Sequence, residues 1–232
     1  VRAQGKPSAV VATAGEPRAG SPFPIIISAP SGGGKTTITR ALLAQRADLG
    51  YSVSCTTRTP RPTEVEGKDY CFLSQQEFAE WRTAGRFAES AEVHGNMYGT
   101  LRSEIVGVLS SGKHVVMDID VQGSRQLKQA FPEAVGVFVL PPSGHVLLDR
   151  LRRRNTESPK VLADRLHSAL RELQAVEEYD YVVVNDDLSH AVARVSSIID
   201  AEVVRRERVN GLREQVAELI THLQSEIDHH SS

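Results

Sequence analysis

The residues best equipped for chemistry are Ala29-Pro30-Ser31-Gly32-Gly33-Gly34-Lys35-Thr36, continued by Thr37. They follow the β-branched run Ile25-Ile26-Ile27 and precede Ile38, Ala41, Leu42 and Leu43 at helical spacing. A buried strand that enters a glycine-rich turn and leaves as a helix points successive backbone N–H groups into one concavity, with the positive helix end behind them. Such a concavity holds phosphate groups. Lys35 would reach the outer phosphates, and the Thr36 hydroxyl would ligate Mg²⁺.

Three further groups of residues suit the same chemistry. Arg58 and Arg61, the second between Pro60 and Pro62, form a stiff cationic pair fitted to a phosphomonoester, and Tyr70 adds a donor nearby. An arginine-rich loop taken alone is an ordinary solvated surface. Asp118 and Asp120 alternate along residues 115–120 at the carboxyl end of a predicted strand, so both face the crevice where α/β sheets bind ligands. Asp118 would hold Mg²⁺ or its waters there. Residues 149–165 carry Arg150, Arg152, Arg153, Arg154, Lys160 and Arg165 against three acidic residues, a local positive field in a chain of net charge −2. No aromatic residues interleave with them, which argues against a nucleic-acid patch.

The elements that must position these groups follow from periodicity. Strands are predicted at the run 25–27 and at 51–55, 69–73, 86–93, 114–119, 134–140 and 181–184, and helices at 35–47, 75–84, 101–111, 122–130, 143–153, 158–178 and 187–208. The alternation implies a mainly parallel sheet covered by helices on both faces. Consecutive strands between 51 and 100 break that rhythm and indicate an inserted β-rich subdomain. Residues 1–22, rich in Ala, Gly and Pro, read as a disordered leader. From 209 to 232 a C-terminal helix and tail are expected, with Leu212, Val216, Leu219, Leu223 and Ile227 as one apolar stripe. Both a homo-oligomer contact and packing on its own domain are open for that stripe.

Composition sets the outer limits. The chain has 232 residues, 40% hydrophobic and 24% charged, with 27 Lys+Arg against 29 Asp+Glu. That suits a globular domain and excludes collagen-like, disulfide-rich and disordered classes. The balance also lacks the global basic footprint of a nucleic-acid binder. No apolar run approaches the ~18 residues of a membrane helix, so no membrane role is expected. Cys55 and Cys71 have no Cys or His at metal-ligand spacing and read as free thiols. The apolar stretch after Arg2 and Lys6 is too short and too rich in Ala and Thr for a secretion signal. A cytoplasmic protein is expected.

The glycine-rich loop resembles the Walker A motif of P-loop nucleotidases, with Ala29 where that motif begins with glycine. If that position needed a left-handed backbone, Ala29 would cost about 1 kcal/mol or more. The ordered series of Ser54-x-Thr56-Thr57-Arg58-x-x-Arg61, Gly67-x-Asp69-Tyr70, Phe87-x-Glu89, residues 95–100 (GNMYGT) and residues 118–123 (DIDVQG) resembles the guanylate kinases, from about residue 24 to about residue 208.

That resemblance implies a P-loop NTPase-type parallel sheet with an NMP-binding subdomain at about 54–105 and a helical lid at about 149–165, within a domain spanning 23–208. It implies phosphate transfer from ATP to GMP or dGMP with Mg²⁺. Residues 29–37 and Asn185 would bind ATP. Arg58, Arg61, Tyr70 and Tyr98 would hold the GMP phosphate, and Ser54, Glu89, Thr100 and Asp120 would contact guanine. Lys35, Arg58 and the lid residues Arg150, Arg154 and Arg165 would serve catalysis. The chemistry agrees: guanine offers N1–H and N2–H₂ as donors and O6 as acceptor, which suits a carboxylate and a hydroxyl.

Overall fold

The computed structural model describes residues 20–93, 95–153 and 159–231. Arg154 and the leader as far as residue 19 lie outside the described residues. Two compact units are present among the described residues, one over Pro22–Ala201 and one joining Gly20 and Ser21 with the residues from Glu202 onward.

The larger unit is built on a parallel sheet of β1 (Pro24–Ser28), β2 (Leu49–Tyr51), β7 (His114–Asp118), β8 (Val135–Leu140) and β9 (Tyr181–Val184), in the order β2-β7-β1-β8-β9. Every residue of β1 is buried, as expected of a central parallel strand with both faces covered. Helices α1 (Lys35–Gln45), α3 (Arg102–Ser110), α4 (Val121–Ala130), α5 (Gly144–Arg153), α6 (Pro159–Gln174) and α7 (Leu188–Val203) alternate with these strands. One core cluster gathers Ile26, Val115, Met117, Ile105 and Leu127 from β1, β7, α3 and α4.

The inserted strands form a second sheet of β3 (Cys55–Thr56), β4 (Cys71–Phe72), β5 (Phe87–Val93) and β6 (Asn96–Leu101), ordered β4-β3-β6-β5. Helix α2 (Gln75–Thr83) starts from a reciprocal capping box of Ser74 and Glu77 and stacks Phe78 on Phe87, with ring centroids 4.5 Å apart. The free thiols of Cys55 and Cys71 stand in register on β3 and β4.

The strand predicted at 51–55 is two strands in two sheets. Tyr51 ends the pairing with β7, and Cys55 begins the pairing with β6, so residues 52–54 carry the chain across. The strand predicted at 69–73 is confined to Cys71–Phe72. β6 escaped periodicity because Gly99 interrupts it. A Cβ on Gly99 would stand 2.9 Å from the Phe87 ring, so only glycine fits there. Helices predicted at 158–178 and 187–208 end at Gln174 and Val203, each followed by a short 3₁₀ turn.

β5 contains a bulge: Phe87 pairs with Leu101 and Glu89 with Thr100, leaving Ala88 as an extra residue. α4 holds the same strand through Gln126, whose Nε2 donates to Ser90 O at 2.9 Å while its Oε1 accepts from Ser90 N at 3.0 Å.

In the smaller unit, the buried Glu202 carboxylate accepts from Arg208 Nε at 3.1 Å, and Ser21 N donates to Arg208 O at 3.2 Å. Helix α8 (Leu212–His230) has no buried residue, and Val216, Leu219, Leu223 and Ile227 of the expected stripe are exposed. Among the described residues no helix is long and apolar enough to cross a membrane.

Candidate active site

Two glycines give the loop after β1 its shape. Gly32 and Gly34 adopt left-handed backbone, with φ of 82° and 97°, and Gly34 caps α1. The buried methyl of Ala29 is accommodated by Gly33, since a Cβ on Gly33 would stand only 2.7 Å from it. Size at the first loop position is thus balanced by the absence of a side chain four residues later. The Ser31 N–H donates to Glu172 Oε2 on α6 at 2.8 Å.

Lys35, Thr36 and Thr37 at the start of α1 open onto a cleft of about 820 Å³. Ser54, Arg61, Tyr70, Glu89, Tyr98, Asp118, Asp120 and Arg165 also line it. Arg58 and Thr100 reach the same wall through Tyr98 and Glu89. Arg150 and Asn185 are placed elsewhere: they border a smaller pocket of about 350 Å³ beside Gly32 and Gly34, which Thr37 joins to the cleft. Asn185 Nδ2 donates to Gly33 O at 2.9 Å, and Arg150 Nη2 donates to Asn185 O at 3.2 Å. Both residues therefore support the phosphate loop.

At the end of β7 the Asp118 carboxylate accepts from the Thr36 hydroxyl at 2.6 Å through Oδ2 and from the Tyr51 hydroxyl at 3.0 Å through Oδ1. Burial, and then the Asp118 charge, push the Tyr51 phenol above its usual range. Among the described residues no cluster of three or more His, Cys, Asp or Glu forms a metal cage. The Thr36 hydroxyl and Asp118 carboxylate, beside Lys35, are instead a small oxygen set suited to an ion that keeps water and phosphate ligands, as Mg²⁺ does.

The residues expected to contact guanine converge on Glu89. It is buried, and Thr100 Oγ1 donates to its Oε1 at 2.6 Å, with Ser54 Oγ 3.3 Å from the Thr100 hydroxyl. Burial pushes the Glu89 carboxyl up to about 7; the Thr100 bond opposes this and the Asp120 charge adds to it. Gly123 on α4 leaves the room this carboxylate occupies, since a Cβ there would lie 2.5 Å from Glu89 Oε2. Asp120 has a second task beyond facing the cleft. It caps α4, its Oδ1 accepting from Gly123 N at 2.8 Å.

Arg58 is fixed before any ligand arrives. Its Nη2 donates to both oxygens of Glu64 at 2.7 and 2.9 Å, and its Nε donates to the Tyr98 hydroxyl at 3.2 Å. Its guanidinium carbon also stands 5.4 Å over the Tyr70 ring, while Arg61 remains largely exposed. Glu64, Tyr51 and Glu172 are the site-supporting residues that motif spacing did not single out. Only Glu64 left a trace in the chain, as the first acid of a proline-stiffened loop, three residues after Arg61.

The parallel sheet, the left-handed glycine loop and the helix that starts at Lys35 define a P-loop nucleotide-binding fold. The family model described as guanylate kinase matches residues 21–202. Curated guanylate kinases align over most of the chain: that of Symbiobacterium thermophilum is 48% identical over 79% of this chain and 87% of the relative. That of Rhizobium meliloti is 46% identical over 85% and 90%. The crystal structure of guanylate kinase from Anaplasma phagocytophilum superposes with a TM-score of 0.72 at 34% identity, covering 86% of this chain and 95% of that one. The chain belongs to the guanylate kinase family, nucleoside-monophosphate kinases that transfer phosphate from ATP to GMP.

Proposed function

We propose that the cleft is where ATP and GMP meet, giving ADP and GDP, and that the second sheet is the monophosphate-binding subdomain. The buried Thr100–Glu89 pair carries this reading. A desolvated carboxylate beside two hydroxyls complements the donor edge and O6 of guanine, whereas adenine sets an acceptor at N1 and a donor at N6, the reverse of guanine's pattern at both positions.

The donor's phosphates lie along residues 29–37, where the Gly32–Gly34 backbone turns its N–H groups inward and Lys35 balances charge. The adenine sits in the smaller pocket at Asn185. Thr36 and Asp118 would hold Mg²⁺, which supplies charge neutralisation on the phosphate oxygens when bound. The acceptor's phosphate is held by Arg58, Arg61, Tyr70 and Tyr98, with Glu64 keeping Arg58 in place. Phosphoryl transfer needs alignment and charge neutralisation more than covalent help. Lys35, Arg58 and Arg165 provide both from the cleft wall; Arg150 acts by bracing the loop. The segment around 149–165 acts as the lid that excludes water during transfer.

ADP release measured with GMP, dGMP, AMP, CMP and UMP as acceptors tests this. GMP and dGMP should turn over and the others should not. Equal turnover of AMP would overturn the assignment of Glu89 and Thr100.

A further inference from the structure

Tyr51 closes β2 at the margin of the main sheet, in register with Val116 of β7. Its backbone belongs to the fold, but its hydroxyl does not stay in the core. The side chain lines the cleft and donates to Asp118 Oδ1 at 3.0 Å, while Thr36 takes the other oxygen at 2.6 Å. Donors from β2 and from α1 thus grip one carboxylate at both ends. The terminal torsion of an aspartate is soft and roughly two-fold, so an ungripped carboxylate at a strand end would sample a range of planes. Two donors from separate elements select one plane and turn the remaining lone pairs toward the cleft. A phenylalanine at position 51 would keep the ring packing and lose only this grip.

We propose that Tyr51 is a positioning residue for the divalent cation, holding the Asp118 carboxylate in the plane from which, with Thr36, it engages the metal–nucleotide complex. This rests on the reading of Asp118 as a ligand of Mg²⁺ or of its waters. Tyr51 itself touches neither the metal nor the phosphates. It acts in the way that hydrogen-bonding partners of metal ligands generally do, by orienting them, and loss of such a partner weakens metal binding by about tenfold or more.

The test uses Tyr51→Phe and Asp118→Asn in the full chain. Mn²⁺ affinity of the enzyme–ADP complex is measured by electron paramagnetic resonance, and ADP affinity by calorimetry with and without Mg²⁺. Thermal melting is followed for both variants. For Tyr51→Phe we expect Mn²⁺ affinity to fall about tenfold, with metal-free ADP affinity and melting temperature held at wild-type values. Asp118→Asn should lose more Mn²⁺ affinity than Tyr51→Phe. If Asp118→Asn loses affinity and Tyr51→Phe does not, the role of Tyr51 is overturned and the reading of Asp118 stands. If Asp118→Asn keeps wild-type Mn²⁺ affinity, that reading falls and takes the proposal with it. A drop in melting temperature without a change in Mn²⁺ affinity, or an equal loss of ADP affinity in the absence of metal, overturns it as well.

Discussion

The Thr100 hydroxyl donates to Glu89 Oε1 at 2.6 Å, and both side chains are buried. The two residues face each other across β5 and β6 because of the bulge at Ala88. This pair bears on the ionisation of the carboxyl group proposed to read the base, and that ionisation is open to measurement.

The Glu89 carboxyl is pushed up to about 7 by burial, and guanine's donors need the ionised form. The KM for GMP should therefore rise as pH falls below about 7, approaching tenfold per pH unit, while the KM for ATP changes little. Removing the hydroxyl with Thr100→Val takes away the bond that favours the carboxylate, so the midpoint should move to higher pH. The pH profile of kcat/KM for GMP between pH 5.5 and 8.5 checks both. A folded-state pKa above the unfolded one also carries a sign for stability. The contribution is fully present below the unfolded value of 4.5 and is lost as pH rises through about 7. Glu89→Gln should therefore melt higher than wild type at pH 8.

The same substitution separates base reading from folding. Glu89→Gln keeps one acceptor but sets an NH₂ against guanine's own donors. Loss of a charge-assisted bond should lower kcat/KM for GMP by about ten- to a hundredfold. AMP, lacking those donors, should begin poor and lose far less, so the GMP:AMP ratio is the diagnostic. Equal losses for both monophosphates would assign Glu89 to the fold.

Gly123 tests the space around that carboxylate. In Gly123→Ala the new methyl would press on Glu89 Oε2, the mobile end of a side chain, so the fold has room to adjust. Helix propensity favours the alanine by ~1 kcal/mol. The melting temperature should hold or rise, while the KM for GMP rises by on the order of tenfold through displacement of one charge-assisted bond. Calorimetric titration of GMP beside a melting curve shows the two moving apart.

Lys35→Ala addresses the donor side. Lys35 opens onto the cleft at the first turn of α1 and is not part of the core. Its loss should lower kcat by about a hundredfold or more with the melting temperature unchanged. Single-turnover transfer from ATP measures the effect, and wild-type turnover would remove the loop from the mechanism.

What the chain disclosed in advance was local and periodic. The loop from Ala29 to Thr37 was legible because strand, glycines and helix are contiguous, and the alternation of elements indicated the parallel sheet. The proposed base site was legible only through the series of short motifs, because its members come from separate strands that residue spacing cannot bring together. Phe87 and Glu89 show why. Two apart in a regular strand they would share a face, but the extra Ala88 sends Phe87 to the α2 aromatics and Glu89 to Gly123. The same holds for Tyr51, whose partner Asp118 lies sixty-seven positions away. Asp120 was half legible: its alternation with Asp118 was visible, its cap on α4 was not. Arg150 was legible as a cation of the 149–165 segment, but its contacts with Asn185 O and Gly33 O, thirty-five and 117 positions away, were not.

Gln126 has a consequence for how this enzyme behaves at high concentration. β5 is the outermost strand of its sheet, and an open strand edge is a template on which a second chain can add a strand. The Gln126 amide occupies both the N–H and the C=O of Ser90, imitating in one side chain the bonds a neighbouring strand would make. The edge is thereby closed at its middle, next to the buried Glu89 carboxylate. The side chain that steadies the pocket also guards the protein against pairing with its own copies.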